Sequence, residues 1–248
     1  MSSRREEPVR AILLDIEGTT TPVEFVHQVL FPYARARVAA FLAQHAADPD
    51  VRADIARLRA EYAAERPQES GPPSWERADD LAAAAAYAHW LSDRDRKSTG
   101  LKSLQGKIWE EGYRAGGALH GRVPIYPDVA PALARWRAGG RDVAIFSSGS
   151  VQAQRSLFAN TTAGDLTPLL AAYFDTTTGP KQESGSYTRL AAALGRAPWE
   201  VLFVSDVGAE LDAARQAGMR TALCVRATAS PAAAGGDHPV IGTFDAIA

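Results

Sequence analysis

The chain has 248 residues, of which 46% are hydrophobic and 23% charged, and it carries a formal net charge of −2 at pH 7. This is ordinary globular usage, so disorder is not expected overall, and 248 residues can bury a substantial core in one or two domains. The near-neutral balance offers nothing for a nucleic acid or an anionic membrane to grip, and neither is expected as a partner.

In chain order, residues 1–9 read as a loose polar tail unlike a signal peptide. Ala11 to Asp15 is a short, continuous apolar run ending in an acid, which reads as a buried parallel strand. It runs into Asp15-Ile16-Glu17-Gly18-Thr19-Thr20. Strand side chains alternate faces, so Asp15 and Glu17 would point the same way, and Gly18 frees the backbone to turn. From about Phe25 to Gly121 the pattern becomes helical. Phe25, Val26, Val29, Leu30, Tyr33, Val38, Phe41 and Leu42 fall largely at three- and four-residue spacings, and Pro32 marks a kink or break. Ala53 to Ala64 repeats that spacing, Pro67 to Pro73 reads as a loop, Asp79 or Asp80 can cap a helix through Leu91, and Leu101 to Tyr113 forms another. The longest apolar run, Leu81 to Leu91, is too short to span a bilayer.

Strand–helix alternation resumes at Arg122. A helix from Val129 to Arg137 ends at Gly139-Gly140, and the strand Asp142–Phe146 meets Ser147-Ser148-Gly149-Ser150. A helix spans Val151 to Phe158, Tyr173–Asp175 is a short strand near Lys181, and a helix runs from Tyr187 to Leu194. Val201–Val204 runs into Ser205-Asp206, Glu210 to Ala217 is a helix ending at Gly218, and Thr221–Val225 is a further strand. That strand holds Cys224, the single cysteine, which reads as a structural thiol and fits a reducing cytoplasm, the expected location. The fold class that follows is α/β, a doubly wound parallel sheet with an inserted all-helical block. The expected bounds are 1–20 and 122–248 for the sheet domain and 21–121 for the helical one.

Three apolar strands therefore end in groups capable of chemistry: Asp15 with Glu17, Ser147 with Ser148, and Ser205 with Asp206. Lys181 follows in a Gly179-Pro180-Lys181 turn, where Pro180 fixes its own φ and stiffens the approach. Each has a plain alternative. Either serine could cap the helix after it, Asp206 could cap the next one, and a loop lysine is usually solvated. One sheet edge would nevertheless collect two acid clusters, a hydroxyl pair and a cation. That inventory suits phosphoryl transfer, with a metal between carboxylates and the hydroxyl and ammonium groups on phosphate oxygens.

These four stretches, taken in chain order, resemble the loop motifs of the haloacid dehalogenase superfamily of aspartyl-nucleophile phosphatases. The likeness extends to Asp15 through Pro22, Leu30-Phe31-Pro32-Tyr33, Leu104-Gln105-Gly106 with Trp109, Ser147 through Val151, Phe174-Asp175-Thr176, and Glu183-Ser184 with Tyr187. Together these resemble the enolase-phosphatase family of methionine salvage. Glu17 carries the most specific part of the likeness, because most superfamily phosphatases have Asp there. The resemblance implies a Rossmann-like core with a helical cap and assigns the roles that follow. Asp15 is the nucleophile, and Glu17 is the acid and base. Lys181 neutralises charge, and Ser147, Ser148 and Lys181 hold the phosphate. Mg²⁺ is bound by Asp15, Glu17 and Asp206. The implied substrate is a small phosphorylated diketone, 2,3-diketo-5-methylthiopentyl-1-phosphate. It is enolised and then dephosphorylated to the acireductone 1,2-dihydroxy-3-keto-5-methylthiopentene.

Glu17 is the candidate enolisation base, with a cap residue as its competitor. Phe25, Phe31, Trp109 and Tyr113 could line an apolar pocket for the methylthio tail or could be plain core, and Lys102 and Gln105 could face the site or solvent. His27 reads as buried and hydrogen-bonded, and the other histidines show no zinc-ligand spacing. The alternatives are a Mg²⁺-dependent phosphatase for another small phosphate ester, a halide-releasing hydrolase, which needs no metal and so leaves Glu17 and Asp206 unexplained, and a binding protein on an inactive phosphatase fold. No heptad or exposed edge signals a dimer, and a monomer is expected.

Overall fold

The computed structural model describes residues 8–65, 71–75, 79–227 and 237–248, so most of the expected tail and part of the expected Pro67–Pro73 loop lie outside the described residues. The chain divides into two compact units, 1–25 with 120–248, and 26–119.

The first unit is built on a six-stranded sheet in the order β3-β2-β1-β4-β5-β6, with every pairing parallel. Its strands are β1 (Ala11–Leu14), β2 (Asp142–Phe146), β3 (Ala172–Phe174), β4 (Val201–Ser205), β5 (Arg220–Cys224) and β6 (Val240–Ile241). β1 is central. Ala11 pairs with Asp142 on one side and with Val201 on the other. Residues Ala11 to Leu14 are wholly buried, and each large side chain among them contributes about 1.5–3 kcal/mol by leaving water. This explains the unbroken apolar run: a strand covered on both faces has no polar side.

Helices cover the sheet. On one face Leu13, Phe146, Tyr187, Leu190, Phe203 and Leu211 share a core, drawing on α8 (Ser184–Ala193) and α9 (Gly208–Gln216). α6 (Val129–Ala138) packs on β2 and α7 (Val151–Ala159) on β3. Gly139 closes α6 and Gly140 follows with φ +76°, the left-handed turn expected of that glycine pair. Cys224 is buried in β5, and burial pushes its thiol up to about 11.

The second unit is helical. The short turn α1 (Val23–Phe25), still in the first unit, leads into a π-helical segment, Val26–Leu30. Then come α2 (Phe31–Gln44), α3 (Pro49–Ala64), α4 (Asp80–Ser92) and α5 (Thr99–Tyr113). Pro32 does not kink α2. It sits in the first turn, where a missing N–H costs nothing. Asp48, Asp79 and Ser98 cap the next three helices by accepting from the backbone N–H of Asp50, Ala82 and Leu101. Leu42, Leu58, Ala84, Tyr87, Leu104 and Ile108 form the core, and Asp54 is fully buried with Arg57 and Lys107 as its ion partners. Trp109 packs against this core and donates to Leu30 O at 2.8 Å. His27, expected to be buried, is exposed, with its ring edge-on to Phe31, because it falls on the outer side of the π segment. Among the described residues no helix is long and apolar enough to cross a membrane.

Arg226, just after β5, ties the loop that follows β1 to the rest of the sheet unit. Its Nε and Nη2 donate to Thr19 O at 3.0 and 2.6 Å, and its Nη1 reaches Asp128 Oδ2 at 2.7 Å and Gly242 O at 3.3 Å. Asp128 also accepts from Phe244 N at 2.6 Å. Arg226→Met would leave the buried Asp128 carboxylate without its cation. Breaking such a pair costs about 3–5 kcal/mol, so the urea midpoint should fall by that equivalent with an unchanged slope, as chemical denaturation would show.

Candidate functional site

In a doubly wound sheet, ligands bind beyond the carboxyl ends of the strands, where the strand order reverses. Here that point lies between β1 and β4. β1 delivers Asp15, β4 ends at Ser205 and delivers Asp206, β2 delivers Ser147 and Ser148, and the turn after β3 delivers Lys181. The same edge thus receives all the strand-end candidates.

Asp15 is 5% exposed. Its Oδ1 accepts from Ile16 N at 2.8 Å and lies 2.7 Å from Lys181 Nζ, and its Oδ2 accepts from Ser205 Oγ at 3.2 Å. Lys181 is not a solvated loop lysine. Its Nζ also sits 2.8 Å from Glu210 Oε2, and Glu210 Oε2 accepts from Ser205 Oγ at 3.1 Å. The four groups close a ring: Asp15 to Lys181 to Glu210 to Ser205 and back to Asp15. Ser205 Oγ also accepts from Val207 N at 3.1 Å, so its one proton is shared between two carboxylates.

The electrostatics follow from crowding. Burial pulls the Lys181 ammonium down, but Asp15 and Glu210 beside it more than compensate and hold it above its usual range. Lys181 is therefore charged. Glu210 is pushed up by burial and then by Asp15, against the pull of Lys181. Asp206 is pushed up to about 6, first by burial, then by Asp15, with Glu17 adding to the repulsion. Gly18, with φ +69°, leaves room for that carboxylate, since a β-carbon at position 18 would overlap the Asp206 carboxylate. Glu17 is half-buried and its backbone bridges Thr21.

On the other side, Ser147 is buried and Ser148 exposed. Neither serine caps α7 by a hydrogen bond to Ala153 N; Ser150 does, at 3.2 Å. Likewise α9 has no side-chain cap from Asp206. The lysine turn is held by its backbone. Arg189 donates to Thr178 O at 2.6 Å, Ser186 to Pro180 O at 2.8 Å and Tyr187 to Lys181 O at 2.7 Å. Gly179 has φ +141°, and any β-carbon there would run into Ser186 and Arg189.

Glu210 is the residue that sequence reading missed. It appeared only as the start of a helix. Its placement in the first turn of a helix leaving a strand end, four residues past Asp206, was the available signal.

A cation is the natural complement to acids raised in this way. Among the described residues, no three His, Cys, Asp or Glu side chains gather into a ready-made metal cluster. The donor set that does fit is oxygen-only: Asp15 and the Asp206 carboxylate that Gly18 admits, a chemistry suited to a hard divalent ion that keeps several waters.

Comparison with known proteins agrees with this geometry. Residues 9–218 match the haloacid dehalogenase-like hydrolases. Enolase-phosphatase E1 of Synechococcus elongatus is 56% identical over 96% of this chain and 97% of its own length. The same-named protein of Sorangium cellulosum is 52% identical over 97% of this chain and 98% of its own. The crystal structure of UTR4 protein from Saccharomyces cerevisiae superposes with a TM-score of 0.74 at 31% identity, covering 96% of this chain and all of that one. A dehalogenase at 19% identity and TM-score 0.53 shares the fold alone. A hydrolase fold with this strand-end chemistry and relatives this close over nearly full length place the chain in the enolase-phosphatase E1 family of the haloacid dehalogenase-like hydrolases.

Proposed function

We propose that this phosphatase is bifunctional: it enolises 2,3-diketo-5-methylthiopentyl-1-phosphate and removes its phosphate through an aspartyl-phosphate, giving the acireductone of methionine salvage. The observation that carries this reading is the closed ring of Asp15, Lys181, Glu210 and Ser205 at the strand-order reversal.

An Asp15 carboxylate oxygen attacks phosphorus, and the bond from phosphorus to the ester oxygen on carbon one breaks. Glu17 gives that oxygen its proton. Glu17, now a carboxylate, takes a proton from water as the water attacks phosphorus, and the bond to Asp15 breaks. Inorganic phosphate leaves and Asp15 is restored. Lys181 offsets charge on the phosphoryl group throughout, an electrostatic role that suits an ammonium held above its usual pKa. Ser147 and Ser148 bind phosphate oxygens. Asp15 and Asp206 would hold Mg²⁺, with Glu17 the third candidate. When bound, the ion polarises oxygens of the substrate and offsets developing negative charge. Before phosphate departs, the Glu17 carboxylate takes the proton from carbon one; the C–H pair forms the double bond to carbon two, and the carbonyl pair moves onto the carbon-two oxygen. That proton is the one given to the departing ester oxygen, and the proton later taken from water passes to the carbon-two oxygen, which restores the Glu17 carboxylate, so one residue serves both halves. The helical unit acts as the cap that selects the substrate and excludes water.

Four outcomes follow. Asp15→Asn should abolish phosphate release, and persistent turnover in a malachite-green assay would sink the covalent mechanism. In a paired assay on the diketo phosphate, absorbance should report the conjugated enol before or together with free phosphate, and only with Mg²⁺. Glu17→Gln should depress both signals by about 10²–10⁴, the usual worth of general acid–base catalysis. Loss of phosphate release alone would assign enolisation to another residue. If only other esters are hydrolysed, the protein is a simple phosphatase. The fourth outcome concerns pH. Burial and Asp15 push Asp206 up to about 6, and below that point a proton competes with the cation. Apparent Mg²⁺ affinity should therefore rise as pH goes from 5 to 6 and level off by about 7, in isothermal titrations at each pH.

A further inference from the structure

We propose that Gln154 is a positioning residue for phosphate binding, its side chain clamping the turn that carries Ser147 and Ser148 before any phosphate arrives. This rests on the reading that those serines take the phosphate oxygens.

Gln154 lies near the start of α7 and is 1% exposed. Its Nε2 donates two hydrogen bonds of 2.8 Å each, to Gly149 O and to Phe174 O. Phe174 O, at the end of β3, also accepts from Ser147 N at 3.2 Å. One carbonyl thus receives both the first residue of the turn and the side chain that grips its third. Gly149 N in turn donates to Ser147 Oγ at 3.2 Å. Both backbone polar groups of Gly149 are therefore committed, one to Ser147 and one to Gln154. A Ser147 hydroxyl that accepts from Gly149 N keeps its own proton for an outside acceptor, as a phosphate oxygen would be.

The orientation of the amide is forced. Both of its Nε2 neighbours are carbonyl oxygens, so the NH₂ must face them; the flipped amide would set oxygen against oxygen twice. That orientation leaves Gln154 Oε1 buried without a hydrogen-bond partner, which is unfavourable. Methionine or leucine would fill the same space without that cost. The amide is therefore there for its two donors, and both go to the serine turn and to the carbonyl that anchors it. Groups aimed at an anion contribute most when they are fixed beforehand, because ordering them afterwards is charged against binding.

The test compares wild type, Gln154→Met and Ser147→Ala by calorimetric titration with inorganic phosphate in the presence of Mg²⁺, alongside thermal melting. Gln154→Met should weaken phosphate binding about tenfold, the equivalent of one to two lost hydrogen bonds. Its Tm should fall only modestly, since removing the orphan Oε1 offsets part of the loss of the two donors to Gly149 O and Phe174 O. KM for the phosphate ester should rise by a similar factor, with kcat changing less. Unchanged phosphate affinity overturns the proposal, whether or not Tm falls. If Gln154→Met does not fold, Gln154→Glu keeps the size and replaces donors with acceptors, and it must weaken phosphate at least as much. Ser147→Ala separates the two readings. If it binds phosphate like wild type, the serine assignment itself fails. If it weakens phosphate and Gln154→Met does not, only the clamp fails.

Discussion

Four carboxylates, those of Asp15, Glu17, Asp206 and Glu210, converge on one end of a sheet, where their like charges repel, and Lys181 sits between two of them, 2.7 Å from Asp15 and 2.8 Å from Glu210. Most of the local architecture answers that imbalance. Lys181 is drawn in and kept charged by two acids at once. Ser205 lends its proton to whichever carboxylate needs it. Gly18 lets Asp206 approach a backbone that any side chain would hold off. What remains uncompensated surfaces as raised proton affinity at Asp206 and Glu210, and a site in that condition favours any ligand that brings positive charge.

The side that carries Lys181 and the serine turn is organised on a different principle. Its charges and hydroxyls are set by gripping the main chain. Tyr187, Ser186 and Arg189 hold three carbonyls of the lysine turn, and Gln154 holds the serine turn. The Tyr187 ring is wedged between Phe146 and Phe203, with centroids 5.7 and 5.1 Å away, so its hydroxyl is aimed by core packing. The hydrophobic core and the reactive edge are thereby one mechanical object, and a loosened core residue is felt as a misplaced ammonium.

Much of this was legible in the sequence, and the reasons differ by feature. The buried strands announced themselves because a strand covered on both faces must be apolar where it is covered, as Ala11–Leu14 and residues 143–146 are. Helix starts were less readable. α3 begins at Pro49, several residues before the periodic pattern, because its first turn is set by the Asp48 cap and by Pro49, and α8 begins at Ser184, before its pattern, with no side-chain cap to mark the start. The π-helical Val26–Leu30 and the two-residue β6 carry no local signal, since both depend on what they pack against. In the site, Asp15, Ser147, Lys181 and Asp206 were visible as strand-end groups. Glu210 was not, because its meaning lies in a lysine that tertiary structure brings to it. Gln154 was hidden for the same reason: its two acceptors sit on segments 5 and 20 residues away.

The position of β1 has a kinetic side. It is the first strand in the sequence and the central one in the sheet, yet its partners, β2 and β4, come more than a hundred residues later. A chain leaving the ribosome would carry this apolar segment unpaired while all of α2 to α5 is synthesised. Pairings so distant in sequence close slowly, and unpaired strand edges are sticky in the meantime. The geometry that buries the strand of Asp15 most deeply also makes it one of the last to find its place, so the site can assemble only after β4 has been made.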